Sequence, residues 1–249
     1  MTIESESDIE ALKRIGRIVA TCLKQMGEAL EPGMTTAELD AIGDAFLARH
    51  GAESAPRVSY DFPGATCISV NDQVAHGIPG ERRIEAGDVV NIDVSACLGG
   101  YFADTGGTFE VPPYAPETRK LCMSTRRALS DAMKVARAGA PLNQIGRAIE
   151  RRAKKAGFGV IRDLCSHGVG RALHEDPQLI YGYYEWRDRR RLREGQVITI
   201  EPFLTTGPPH IVEADDGWTL LNARGARSAQ YEHTMIITRS TPIVVTVAA

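Results

Sequence analysis

The sequence predicts an α+β fold in which helices cover a mixed or antiparallel sheet. Three observations carry this prediction. Apolar positions at helical spacing alternate along the chain with short apolar runs of strand length. No linker or low-complexity stretch divides the 249 residues, and one turn–strand unit occurs twice. With 43% hydrophobic and 24% charged residues the chain can bury a sizeable core, so residues 1–249 are expected to form one unit.

The elements follow in order. Over 7–30, Ile9, Leu12, Ile15, Ile18, Val19, Cys22, Leu23 and Met26 recur at steps of three and four, which predicts an amphipathic helix. Glu31-Pro32-Gly33 ends it. A second helix is predicted over 36–50, with Thr36 as N-cap and Gly51 past its end. Strands are expected at 66–70 and 88–94. Two helices follow at 117–138 and 142–156, parted by Gly139-Ala140-Pro141, then strands at 196–201 and 230–238.

The repeated unit is the most informative feature. Residues 84–93 (IEAGDVVNID) and 192–201 (LREGQVITIE) share the pattern [IL]-x-x-G-x-V-[VI]-x-I-[DE]. Each is a glycine turn feeding an apolar strand that ends in a carboxylate. Chance similarity of two ordinary turn–strand units would give the same letters. A duplicated fold would aim one carboxylate from each half at a shared centre.

Bulk properties exclude several classes. The net charge of -3 gives no global attraction to DNA or to an anionic membrane. No apolar run is long enough to span a bilayer, and Met1 to Glu6 has no apolar signal core. Cys22, Cys67, Cys97, Cys122 and Cys165 are scattered and odd in number, which suggests reduced thiols and a cytoplasmic location. Gly168-Val169-Gly170 completes no phosphate-binding motif.

After Asp93, Gly99-Gly100 is a good two-residue hairpin turn. That turn sets Asp93 opposite Gly106 and Asp104 opposite Ser95, so the two aspartates become diagonal neighbours on one face. Adjacent carboxylates repel unless protonated or bridged by a cation. The hairpin alone also fits two solvent-facing aspartates. Of the histidines, His76, His167 and His174 lie beside glycine, proline or acid, in loop-like or strand-end settings; His50 suits a helix C-terminus. Glu201 and Glu232 lie in or beside apolar strands, where a carboxylate is costly to bury unless paired or metal-bound. Asp93, Asp104, His167, Glu201 and Glu232 give four carboxylates and one imidazole, a donor set that balances two divalent ions better than a single zinc.

These motifs resemble the methionine aminopeptidases, with their duplicated, pseudo-twofold pita-bread fold. The resemblance runs from about Asp8 to Arg239 and rests on Thr66–Asn71, Ala75–Pro79, Asn91–Val94, Asp104-Thr105, His167–Gly170, His174–Pro177, Thr199–Pro202, Asp216–Thr219 and Ser228–Thr234. The short stretch between Glu201 and Glu232 resembles the type I enzymes, here without an N-terminal extension. Aminopeptidase P and prolidase share the fold but add an N-terminal domain.

The resemblance implies removal of the initiator methionine from nascent polypeptide N-termini by a cytoplasmic monomer. It implies two divalent ions per chain (Co, Mn, Fe, Zn or Ni), held by Asp93, Asp104, His167, Glu201 and Glu232, with Asp104 and Glu232 bridging. It further implies that His174 stabilises the oxyanion and His76 contacts the leaving amide nitrogen. Glu201 would also handle the proton of the attacking water, and Tyr60, Phe62, Cys67 and Trp218 would line the methionine pocket. Ala75, Phe102-Ala103, Gly106-Gly107, Leu173 and Phe203 depart from residues common in relatives, so pocket shape is expected to differ. Residues 181–193 concentrate five arginines and four aromatics in a slightly acidic chain. That stretch fits a solvated loop, or a contact with ribosomal RNA through phosphate pairing and base stacking.

Overall fold

A computed structural model describes residues 1–248. The first half contains α1 (Glu6–Ala29), α2 (Thr36–Arg49), β1 (Glu53–Ser54), α3 (Ala55–Tyr60), β2 (Cys67–Val70), β3 (Gln73–Ala75), β4 (Val89–Leu98) and β5 (Tyr101–Glu110). The second contains α4 (Pro116–Val135), α5 (Asn143–Ala156), β6 (Gly159–Val160), β7 (Cys165–Gly168), β8 (Glu175–Tyr181), β9 (Val197–Ile200), β10 (Phe203–Thr205), β11 (Val212–Glu213), β12 (Leu220–Leu221), β13 (Ser228–Gln230), β14 (His233–Ile236) and β15 (Ile243–Val244).

Every described strand pairing is antiparallel. β4 is central to the first half, with β1 and β2 along one edge and β5 along the other. The second half is built on the order β15-β14-β9-β7-β8. Each half has its own core. Ile15, Val19 and Met26 of α1 and Leu39 and Phe46 of α2 pack on Ile68, Val90, Ile92 and Val94. Leu121 and Leu129 of α4 and Ile145 and Ile149 of α5 pack on Ile198, Ile200, Leu204 and Met235. The duplicated sequence unit thus corresponds to two helix-covered layers. Gly87 and Gly195 open β4 and β9 at φ 89 and 77, a left-handed turn that explains the glycine both copies share.

The halves are sewn together where β5 meets the β13–β14 segment. The Thr105 hydroxyl donates to the Glu232 carbonyl at 2.9 Å, the Asp104 amide donates to Thr234 Oγ1 at 2.9 Å, and the Glu232 amide donates to the Gly106 carbonyl at 3.0 Å.

Some expectations shift. The N-cap of α2 is Thr35, because Glu38 at the third helical position closes a reciprocal capping box with it. Thr36 instead donates to the Gly80 carbonyl. α4 stops at Val135, since the Ala138 and Gly139 amides leave to bond the Thr238 and Leu192 carbonyls. The strand beginning near 88 runs on through Asp93 to Leu98, so that carboxylate lies within a strand rather than at its end. The expected 230–238 strand is two short ones, because the chain changes sheets at Tyr231-Glu232. His167 is the next-to-last residue of β7, a strand-end setting as expected.

Candidate metal centre and its cavity

Gly99 and Gly100 take φ 59 and 76, the two positive values a tight hairpin turn requires. The resulting register pairs Asp93 with Gly106 and Ser95 with Asp104, as the turn predicts, so both carboxylates share one face of the ribbon. Glu201 comes from the other half, immediately after β9. Its amide donates to Ser166 Oγ at 2.9 Å and its Oε1 accepts from the Thr199 hydroxyl at 3.1 Å. His167 enters from β7, and its Nε2 stands 3.4 Å from Glu201 Oε1 and 3.9 Å from Asp104 Oδ2. Ligand atoms of Asp104, His167 and Glu232 lie within 4.8 Å of one another. β8 pairs tightly with β7: a Cβ on Gly168 would come 2.4 Å from the Asp176 carbonyl oxygen.

The electrostatics are those of a site that wants cations. Burial, then Asp104 and Glu201, hold the Asp93 carboxyl well above the usual carboxylate range. Burial raises Asp104 to about 6. Burial, then the neighbouring carboxylates, raises Glu201 and Glu232 well above their ordinary value. His167 is neutral, lowered to about 3 by burial and then by His174. Its Nδ1 faces the Gly168 carbonyl at 2.9 Å, so the ring proton sits there and the Nε2 lone pair is turned towards carboxylates. A lone pair facing anions is repulsive unless a cation lies between them. Asp104 Oδ1 and Glu232 Oε1 are buried without a hydrogen-bond partner. Orphaned acceptors, clustered acids and an aimed imidazole nitrogen together fit divalent metal.

Sequence reasoning passed over the groups that orient these ligands. Asn91 Nδ2 donates to Gln230 Oε1 at 2.9 Å, which turns the Gln230 amide so that Nε2 donates to Glu232 Oε2 at 3.0 Å. Gly106 makes room, since a Cβ there would lie 2.3 Å from Gln230 Oε1. A signal existed in the repeat. Asn91 and Thr199 occupy the same place in the two units, two residues before each carboxylate. Thr199 orients Glu201 directly, and Asn91 orients Glu232 through Gln230.

A cavity of about 380 Å³ opens onto the cluster, with Asp93, Asp104, His167 and Glu201 on its wall. Glu232 belongs to the cluster but not to the cavity wall. Tyr60, Phe62, Cys67, His76, His174 and Trp218 also line it. Phe62 meets Trp218 edge-on, with centroids 5.2 Å apart. His76, at φ 55, and His174 are solvent-exposed on the wall, and burial by the surrounding protein still lowers both from the ordinary imidazole value. The cysteines are free thiols. Burial, then Asp93 and the other acids, raises Cys67 well above the thiol range and keeps it uncharged.

Two antiparallel layers, joined where β5 meets the β13–β14 segment, that bring four carboxylates and one neutral imidazole to a common point define a metallopeptidase of the pita-bread type. Residues 10–239 match metallopeptidase family M24. The chain is 48% identical to methionine aminopeptidase 2 of Bacillus subtilis over 247 residues, covering 99% of each. It is 43% identical to a methionine aminopeptidase of Staphylococcus epidermidis, covering 99% of this chain and 98% of that one. The crystal structure of methionine aminopeptidase from Thermotoga maritima matches with a TM-score of 0.94 at 33% identity, covering 99% of both chains. A prolidase from Pyrococcus furiosus matches at TM-score 0.80 and 25% identity, and there this chain covers 66% of the longer protein. The chain belongs to the methionine aminopeptidases of metallopeptidase family M24.

Proposed function

We propose that this chain removes the initiator methionine from nascent proteins whose second residue is small, using two divalent ions, and that residues 1–249 act as one catalytic domain. The observation that carries this reading is the meeting of four carboxylates, two buried and two half-buried, and a neutral imidazole at a cavity with an aromatic wall. Asp93, Asp104, His167, Glu201 and Glu232 would hold the ions. Cobalt, manganese, iron, zinc and nickel are the candidate ions. When bound, such ions lower the pKa of water and make hydroxide available near neutral pH.

The remaining chemistry belongs to the side chains. Glu201 takes the proton of the attacking water. His174 donates a hydrogen bond to the scissile carbonyl oxygen as it gains negative charge. His76 contacts the amide nitrogen of the leaving peptide. Phe62, Trp218 and the uncharged Cys67 surround the methionine side chain, with Tyr60 at the mouth. An apolar thiol and aromatic faces suit a polarisable thioether.

The decisive experiment pairs metal analysis with product release. Two ions per chain are expected, with methionine freed from Met-Ala-Ser, Met-Gly-Ser and Met-Ser-Ala but not from Met-Lys-Ser. Equal rates across that set, or a preference for Xaa-Pro peptides, would overturn the reading.

Action on nascent chains in the cytoplasm, as a monomer near the ribosome, extends the same proposal. No described helix is long and apolar enough to cross a membrane. Trp186 is 59% exposed, with the Arg187 guanidinium 5.0 Å from its ring centre. Arg190 is tied to Asp188 and Arg191 to the Gly139 carbonyl, so Arg187 and Arg189 are the better positioned for phosphate. Ribosome co-sedimentation that falls with salt, and falls further for Arg187→Ala with Arg189→Ala, is the expected result; pelleting unchanged at every salt level would make this stretch plain surface.

A further inference from the structure

Tyr60 makes a hydrogen bond that none of these roles uses. It is the last residue of α3, 47% exposed at the mouth of the cavity. Asp61 follows in the left-handed region at φ 60, which turns the chain so that Phe62 goes inward while Tyr60 stays at the rim. The Tyr60 hydroxyl lies 2.6 Å from Nδ1 of His174, and among the described residues it has no other hydrogen-bond partner.

A phenol is a stronger donor than acceptor, and a neutral imidazole offers one strong acceptor nitrogen. Desolvation raises the Tyr60 pKa, which keeps its proton in place. We therefore assign the donor role to Tyr60 Oη and the remaining ring proton of His174 to Nε2. The adjacent His167 ring, with centroids 4.1 Å apart, is set the opposite way. Its Nδ1 faces the Gly168 carbonyl, which only accepts, so its Nε2 is a bare lone pair. Two neighbouring imidazoles are thus fixed in opposite tautomers by what each Nδ1 meets.

We propose that Tyr60 is a positioning residue that holds His174 in the Nε2–H tautomer and fixes its ring to donate to the carbonyl of the bond being cut. This rests on the reading of His174 given above as the oxyanion donor. In amide hydrolysis the carbonyl oxygen becomes anionic as hydroxide adds to carbon. An imidazole presenting a lone pair there would repel that charge, whereas one presenting N–H stabilises it. The methionine pocket itself needs only the inner Phe62, Cys67 and Trp218. Tyr60 thereby acts on turnover more than on side-chain selection.

The test uses the full chain loaded with a diamagnetic divalent ion. Tyr60→Phe keeps the ring and removes the hydroxyl. For Met-Ala-Ser its kcat is expected to fall about tenfold, the scale of one hydrogen bond, with KM within about twofold and metal content unchanged. Nitrogen-15 spectra of imidazole-labelled protein, assigned with His174→Ala, should show a single Nε2–H tautomer at His174 in the wild type and mixed tautomers in Tyr60→Phe. Adding Tyr60→Phe to His174→Ala should cost nothing further. A near-normal kcat in Tyr60→Phe, or an unchanged tautomer, overturns the inference. His174→Ala separates the two layers: loss of roughly 10²–10³-fold in kcat upholds its role as donor, and a normal kcat there overturns that role and this inference together.

Discussion

Asp104 carries more of the centre than any other side chain. It faces His167, it is the first charged neighbour felt by Glu201 and Glu232, and one of its oxygens has no partner in the protein. Asp104→Ala should abolish methionine release and lower bound metal, read by elemental analysis; full turnover with added metal would remove Asp104 from the site. Gln230 acts one layer out. Gln230→Met keeps the length but loses the donor to Glu232, and metal affinity is expected to fall about 10–100-fold, the usual cost of removing an outer partner. A competition titration measures it, and unchanged affinity would mean that the Asn91–Gln230 pair only fills space.

The β4–β5 hairpin shows how far local rules reach. Its turn type and register follow from Gly99-Gly100 and the period-two pleat, and the shared face of Asp93 and Asp104 was readable from the sequence alone. The break at Tyr231-Glu232 was not readable, because what ends β13 is bonding to Gly106 and Gly107 on a strand distant in sequence. The Asn91–Gln230 contact joins residues 139 positions apart, which no local pattern encodes. The Tyr60–His174 contact, between residues 114 positions apart, was hidden for the same reason. Element packing makes its own prediction. A Cβ on Gly146 of α5 would lie 2.0 Å from the Tyr183 carbonyl oxygen. Gly146→Ala should therefore destabilise the fold by about 1–3 kcal/mol, the range for overpacking, while activity per folded molecule is preserved. Denaturant unfolding beside an active-site titration checks this, and unaltered stability would show that α5 can slide.

For the whole molecule, the buried acids set how stability varies with pH. Asp104 titrates near 6 when folded, against 3.8 for an unperturbed aspartate. Below 3.8 both the folded and the unfolded chain hold the proton. Between 3.8 and about 6 only the folded state does, so stability of the metal-free protein declines as pH rises through that window. Asp8 works lower and with the opposite sign. The Tyr101 hydroxyl and nearby amides depress it to about 2, so its contribution is present above 3.8 and lost as pH falls towards 2. Divalent metal replaces the protons of the centre. Adding it should raise Tm more at pH 7.5 than at pH 5 and release protons on binding. Thermal scans of stripped and reloaded protein test this; a metal-induced shift independent of pH would show that protons and ions do not compete there.

The seam between the two halves also bears on how the protein is made. Asp93 and Asp104 are made well before Glu232, yet all belong to one cluster. A chain that stalls before Glu232 therefore holds an incomplete set of acids and lacks β14, the strand that pairs with β9. The cluster is a joint possession of both halves, and neither half taken alone carries the full set of acids.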